Sequence, residues 1–286
     1  MYICDMHIHS NYSDGSFSPE QICEIAVRKN IAGIAVTDHD TVAGLDFAEK
    51  AAKLYNIDFL PGMEITTEYN KRKIHIIALG FDKSSAEFKD FYRELQYVRE
   101  SRIGEIIEGV RRKGIDISLE KVKRFTPGAV DRYAIVRYLM TLHIDDKAQF
   151  LWDRYINPVV AELNLSIDMP VEKVIDGIHK AGGIVSLAHF NKKIGLGGFS
   201  RTEQENIICC LKGMGLDALE RWYPRFSADD TVFIKEMTKK YDFFNTGGTD
   251  FHGRNRPDVE LGTGIDNNTV IPYEIFQKIK TKTIRE

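Results

Sequence analysis

The chain has 286 residues, 43% of them hydrophobic and 28% charged, and a formal net charge of -3. That is the balance of an ordinary globular chain with room for a large core, and it excludes a global electrostatic preference for nucleic acid or an anionic membrane surface. No apolar run approaches a membrane span, the N-terminus lacks the basic-then-apolar layout of a signal peptide, and the four cysteines show no CxxC spacing, so a reducing, cytoplasmic setting without membrane contact is expected.

In chain order, Tyr2 to His7 reads as a strand that continues into "DMHIHSNYSDG". Side chains alternate faces along a strand, so Asp5, His7 and His9 project to one side, and the turn composition of "SNYSDG" can fold Asp14 back toward the same point. The segment "SPEQICEIAVRKN" predicts a helix with Ser18 as N-cap, Pro19 at its first position and Gln21 three residues after the cap. The strand "IAGIAVTDHD" follows, ending near His39, then the helix "GLDFAEKAAKLYN", the strand "IDFLPGMEIT" with Glu64, and the strand "KIHIIALGF" with His75. The last is apolar on both faces, which predicts parallel strands buried between layers.

From about Ser84 the pattern changes to a long helical stretch with charged faces, and helix-prone segments run on to about Leu165 without a strand-like interruption. Strand and helix alternation returns with "PVEKVIDGIHKAGGIVSLAHF", "GLDALERWYP" and "YDFFNTGGTDFH", and a last helix lies near "YEIFQKIK". The fold class expected is α/β: a barrel-like β/α domain made by residues 1–83 and 170–286, with a helical insertion over 84–169 that caps its mouth.

His7, His9, Asp14, His39, Glu64, His75, His189, Asp250 and His252 lie in or next to the strand segments, at positions that share or approach the carboxyl ends where β/α folds collect their chemistry. Three carboxylates gathered there without a cation would repel one another and resist ionising together. A multinuclear metal site removes that conflict. His143 and His179 fall in predicted helices and read as structural. Asp5, Asp38 and Asp40 either orient imidazoles from behind or serve as caps and solvated turn charges.

The motifs "DMHIHSNYSDG", "TDHDT", "PGMEIT", "KIHIIALGF", "SLAHF" and "GGTDFHG" resemble, in order and spacing, those of the PHP (polymerase and histidinol phosphatase) superfamily of metal-dependent phosphoesterases. The resemblance implies a distorted barrel of seven parallel strands, with the nine residues just named as ligands of two or three divalent ions. A donor set without cysteine accommodates Mn, Fe or Zn. "AGGIVSLAHF" and "GLDALERWYP", with the insertion before them, look like the subgroup of 3',5'-nucleoside bisphosphate phosphatases and RNase AM-type exoribonucleases. Two positions depart from that subgroup: Ala134 stands in "DRYAIVRYL" where it carries a histidine, and Phe190 replaces the proline after "LAH".

Uncatalysed phosphate monoester hydrolysis demands roughly 20 kcal/mol or more of barrier reduction. Clustered metals can activate a water to hydroxide and neutralise the phosphoryl oxygens, and the chain carries no G-x-S-x-G elbow or Walker A lysine that would indicate another route. The expected activity is hydrolysis of phosphate monoesters of small nucleotides (3',5'-bisphosphate or AMP-like) or of the 5' end of short RNA. The alternatives are a phosphatase for another metabolite such as histidinol phosphate, or a non-catalytic metal-binding module. Arg132, Arg254 and Arg256 are candidates for binding substrate phosphate. Tyr133, Trp222 and Tyr223 either stack a base or pack locally. No obligatory protein partner is evident.

Overall fold

The computed structural model describes residues 2–128, 130–145, 147–163 and 168–283, so the expected end of the helical stretch at Leu165 lies outside the described residues. The first third follows the sequence pattern: β1 (Ile3–Ile8), α1 (Pro19–Arg28), β2 (Ile31–Val36), α2 (Leu45–Leu54), β3 (Asp58–Tyr69) and β4 (Arg72–Leu79). Ser18 and Gln21 form the reciprocal capping pair at α1: the Ser18 hydroxyl accepts the Gln21 N–H at 3.3 Å, and the Gln21 side chain accepts the Ser18 N–H at 2.9 Å. Along β1, buried Cys4, Met6 and Ile8 alternate with Asp5 and His7, and His9 continues the second series just past the strand end.

β1, β2 and β3 pair in parallel, but β4 is antiparallel to β3 and also to β6 (Ile184–Leu187), which corrects the expectation of seven parallel strands. The cause is local. Tyr69 pairs with Arg72, so Asn70 and Lys71 alone make the turn, with φ of 47° and 63°. Two central residues at positive φ make the mirror-image turn that joins antiparallel strands, whereas a parallel crossover needs a dozen residues or more.

After β4 come α3 (Ala86–Arg112), α4 (Leu119–Lys123), α5 (Arg132–Thr141), α6 (Ala148–Leu151), a π-helical turn over Trp152–Ile156 and α7 (Asn157–Leu163). The short β5 (Met169–Pro170) pairs with β3, and α8 (Val171–Lys180) leads into β6. The chain ends with α9 (Arg201–Gly213), β7 (Ala218–Trp222), α10 (Ala228–Lys240), β8 (Phe244–Gly247) and α11 (Tyr273–Thr283). Neighbouring strands run β1-β2-β3-β4-β6-β7-β8, with β7 parallel to β6 and β8. The segment after β8 returns to β1: the Asp250 N–H donates to the His7 carbonyl and the His9 N–H to the Phe251 carbonyl, each at 2.9 Å. That return carries Asp250 and His252 to the strand that carries His7 and His9.

Helix α3 serves two apolar clusters. Phe88, Phe91 and Leu95 join the cluster built on β3, β4, β6 and α8, while Ile103, Ile106 and Val110 pack with Val122, Ile135, Leu139 and Ile156 from the helices that follow. Close packing of α3 on α8 requires Gly177, where an added Cβ would stand 2.3 Å from the Phe91 ring. His143 is not helical, contrary to the sequence expectation: it lies at φ 52° in the exposed turn after α5. His179 is in α8, with Nε2 2.7 Å from the Asp217 carboxylate. Among the described residues no helix is long and apolar enough to cross a membrane.

Candidate metal centre

The nine side chains singled out in the sequence converge beside the carboxyl ends of β1 and β2, the middle of β3 and the amino-terminal half of the antiparallel β4, with Glu64 at their centre. Its Oε1 lies 2.7 Å from His75 Nδ1 and 2.9 Å from His189 Nε2, and its Oε2 lies 3.3 Å from His7 Nε2 and 3.2 Å from both His9 Nε2 and His39 Nδ1. Asp14, folded back by the turn after β1, lies 3.0 Å from His252 Nε2 and 3.5 Å from His9 Nδ1. Asp250 Oδ1 faces His7 Nε2 and His9 Nε2 at 3.5 and 3.3 Å. Backbone geometry is unusual at these positions, with φ of 22° at His189 and 57° at Asp250. Such conformations cost about 1–3 kcal/mol each and persist where surrounding structure enforces them.

Burial would raise the Glu64, Asp14 and Asp250 carboxyls, but the surrounding imidazoles, and Lys192 at Asp250, outweigh it and hold all three well below the usual range. Burial likewise opposes protonation of His9, yet Asp14, Asp250 and Glu64 raise it to about 9, whereas burial and Lys192 together push His189 down to about 3.

The donor set fits metal ions. His7 Nε2, both ring nitrogens of His9, His39 Nδ1, Glu64 Oε2 and His75 Nδ1 are buried without a hydrogen-bond partner. Groups of this kind are costly to bury unpaired, and a cation supplies what they lack. Three groups have mutually close donor atoms: His9, Asp14, His39 and His252; His7, His9, Glu64 and Asp250; and His39, Glu64 and His75. His189 reaches the last two through Glu64.

Of the two roles left open for Asp5, Asp38 and Asp40, their hydrogen bonds are those of the capping and turn-holding one. Asp5 accepts the Thr249 N–H at 3.0 Å, the Thr249 hydroxyl at 2.6 Å and the Gly262 N–H at 2.9 Å. Asp38 takes the Ser10 N–H at 2.7 Å and the Ser10 and Ser13 hydroxyls at 2.6 Å, holding the turn that delivers Asp14. Asp40 accepts the Thr66 N–H at 2.7 Å and lies 3.3 Å from Arg99, which also donates to the His39 carbonyl. Each carboxylate is taken up by backbone N–H groups, together with hydroxyls at Asp5 and Asp38 and a guanidinium at Asp40. The carboxylate that does orient imidazole is Glu220 on β7, absent from the sequence analysis. Its signal is an acid in the middle of the strand-like segment "ALERW", and it is buried in the structure. Lys192 was also missed; its Nζ and Arg256 Nη1 each lie 2.6 Å from Asp250 Oδ2, and the Tyr223 hydroxyl donates to the same oxygen at 3.3 Å.

A cavity of about 390 Å³ opens beside the centre, with Asp14, His39 and His75 on one wall. Leu95, Val98, Ile103 and Ile106 of α3 make an apolar wall, and Lys73, Arg99, Arg102, Arg132 and Arg256 supply cations. Arg132 and Arg256 thus line the cavity, as does half-exposed Tyr133, whose ring meets Trp152 edge-on. Arg254 does not: it is exposed, its guanidinium over the Phe17 ring. Tyr223 is buried against His189, and Trp222 packs beside the apolar cluster under α11. Both departures from the subgroup lie in apolar clusters away from the cavity wall: Ala134 is in the insertion core, and Phe190 packs on Phe226 and Phe233.

Comparison with known proteins agrees with this geometry. The PHP domain family matches residues 5–156. A 5'-3' exoribonuclease of Haemophilus influenzae is 30% identical over 272 residues, spanning 94% of this chain and 96% of the relative. A 3',5'-nucleoside bisphosphate phosphatase of Chromobacterium violaceum is 24% identical over 260 residues, 90% of each chain. A crystal structure of a candidate metal-dependent phosphoesterase of Bifidobacterium adolescentis superposes with a TM-score of 0.80 at 23% identity, covering 99% of this chain and 96% of that one. The chain belongs to the PHP family of metal-dependent phosphoesterases. Its fold is a mixed α/β sheet flanked by helices that matches those of PHP-family phosphoesterases.

Proposed function

We propose that this phosphoesterase hydrolyses phosphate esters of nucleotides that carry a second phosphate, either as a free 3',5'-nucleoside bisphosphate or at the 5' end of a short RNA. The observation that carries the reading is the cavity, which joins a wall of imidazole and carboxylate donors to a wall of arginines and an apolar face in one enclosure of about 390 Å³. An apolar surface with a few convergent cations suits a nucleoside phosphate. The relatives' names, an exoribonuclease and a bisphosphate phosphatase, favour the same class.

His7, His9, Asp14, His39, Glu64, His75, His189, Asp250 and His252 would hold two or three divalent ions such as Mn, Fe or Zn. Ions held there supply an activated water and charge neutralisation for the phosphoryl group. The chain's own residues do the rest. Glu220 fixes the His7 ring; Lys192 and Arg256 sit on the outer oxygen of Asp250, close enough to meet a phosphoryl oxygen entering beside it. Residues 84–169 act as a cap on the barrel of 1–83 and 170–286, because α3 and the start of α5 line the cavity and keep water from its apolar wall.

The test is phosphate release by the Mn-loaded protein from adenosine 3',5'-bisphosphate, AMP, histidinol phosphate and a short 5'-phosphorylated RNA, with His39→Ala as control. Preference for the bisphosphate or the RNA supports the reading, and replacing Arg132 by Ala should then raise KM for the bisphosphate far more than for an aryl phosphate. Preference for histidinol phosphate, or an inert protein, overturns it.

A further inference from the structure

The cation wall of the cavity contains an arrangement that the metal centre does not use. Lys73 and His75 are two residues apart on β4, so they share a face about 6.7 Å apart along the strand. His75 is turned to Glu64, while Lys73 reaches Asp168, its Nζ 2.9 Å from Oδ2. Arg102 on α3 reaches the other oxygen, Nη1 to Oδ1 at 2.5 Å. Arg132 lines the same cavity, and among the described residues no carboxylate lies within salt-bridge distance of it. Asp168 is nearly buried, its side chain 4% exposed.

Lys73 and Arg102 therefore share one carboxylate, and Arg132 lines the same cavity without one in contact. Burial and then Arg102 lower the Arg132 guanidinium from its ordinary value, the direction expected beside a second cation. Like charges held together out of water call for a counter-anion, and among the described residues none of the cavity's carboxylates, Asp14, Asp40, Asp131 and Asp168, is within salt-bridge distance of Arg132. A phosphate group carries nearly two charges and three acceptor oxygens, and it takes arginine in bidentate fashion and lysine as a point charge. The step from His75 to Lys73 is also one that a pentose ring can span.

We propose that Asp168 stands in for the substrate's second, non-reacting phosphate: in the free protein it holds Lys73 and Arg102 in place, and the incoming phosphate displaces it and takes these two cations together with Arg132. The inference rests on the nucleotide reading above and assigns the seat of the second phosphate, along with the internal competitor that occupies it.

The experiment is calorimetric titration of the chelator-treated full-length protein with adenosine 3',5'-bisphosphate, adenosine 3'-phosphate, adenosine 5'-phosphate and inorganic phosphate. Asp168→Asn should bind the bisphosphate several-fold more tightly than the parent, because the competitor has lost its charge; a purely structural Asp168 predicts equal or weaker binding, and that result overturns the proposal. If Asp168→Asn does not fold, Lys73→Met decides: the preference for bisphosphate over the better monophosphate should fall about tenfold, the loss expected for one charge-assisted hydrogen bond. An unchanged preference overturns the proposal. A 5'-phosphorylated dinucleotide titrated in parallel that shows a larger Asp168→Asn gain than the bisphosphate identifies the second phosphate as that of an RNA chain. A metal-loaded parent inert on every phosphoester removes the functional reading, while the titrations still report on the seat itself.

Discussion

Glu220 Oε1 lies 2.9 Å from His7 Nδ1, and Glu220 Oε2 accepts the His189 backbone N–H at 2.6 Å. One buried carboxylate therefore fixes the ring of one histidine of the cluster and the backbone of another. With Nδ1–H donated to Glu220, His7 presents a lone pair at Nε2, the atom that faces Glu64 and Asp250. Replacing Glu220 by Gln keeps the volume and removes the charge that sets this tautomer. Losses of about 10- to 100-fold in metal affinity are expected from partners of this kind. Metal retained after dialysis against a competing chelator, with circular dichroism as a folding control, checks it; parent-like retention would show that the ring is oriented by packing alone.

Asp5 predicts the opposite outcome. It receives two bonds from Thr249, one from Gly262 and a longer one, 3.3 Å, from the His7 backbone N–H, so it ties β1 to the segment that carries Asp250 and to the loop before α11. Asp5→Ala strands those buried donors, and each unsatisfied group costs about 1–3 kcal/mol. A loss of about 3–5 kcal/mol is expected in urea unfolding, and Asp5→Asn should lose less because its carbonyl can still accept. An unchanged urea midpoint for Asp5→Ala would show that water replaces the carboxylate without cost.

The contrast between Glu220 and Asp5 marks what the sequence could reveal. The i, i+2 pairs His7/His9 and Asp250/His252, and the acids and histidines at other strand ends, announced a convergence because period-two spacing and strand ends are local properties. The partner of a lone acid is not local. Asp5 stands two residues from His7 and bonds Thr249 and Gly262, while Glu220, 213 residues away, is the one that meets the ring. Lys192 escaped notice for the same reason, since its role appears only when the loop after β6 lies against the segment after β8. The direction of β4 is legible in principle, because the six residues between the two strand-like runs are too few for the dozen that a parallel crossover needs, whereas two-sided hydrophobicity says only that a strand is buried.

That hairpin yields a stability prediction. Lys71 sits at φ 63°, a conformation that costs a non-glycine residue roughly 1–2 kcal/mol. Lys71→Gly removes the cost and creates the Asn-Gly pair favoured in such turns, at some expense in unfolded-chain entropy. A net gain of about 0.5–1 kcal/mol, or roughly 1–4 °C in Tm, is expected. Lys71→Val should lower Tm instead. The same ordering reversed would mean that the turn is held by contacts outside its own two residues.

His39 and His75 differ in how many of the close donor groups they serve, and metal stoichiometry should record the difference. His39 faces Glu64 through Nδ1 at 3.2 Å and Asp14 through Nε2 at 3.8 Å, so it belongs to two of the three groups. His75 faces Glu64 alone, at 2.7 Å, and belongs to one. His39→Ala should therefore weaken two ion positions and His75→Ala one. Bound ions also stabilise the folded chain by mass action, about 2.7 kcal/mol when free metal is a hundredfold above its dissociation constant. The gain in Tm between chelated and metal-loaded protein should then shrink in the order parent, His75→Ala, His39→Ala, in step with ions counted by elemental analysis. Equal losses in the two variants would mean that His39 uses one nitrogen only, and that its approach to Asp14 is packing rather than coordination.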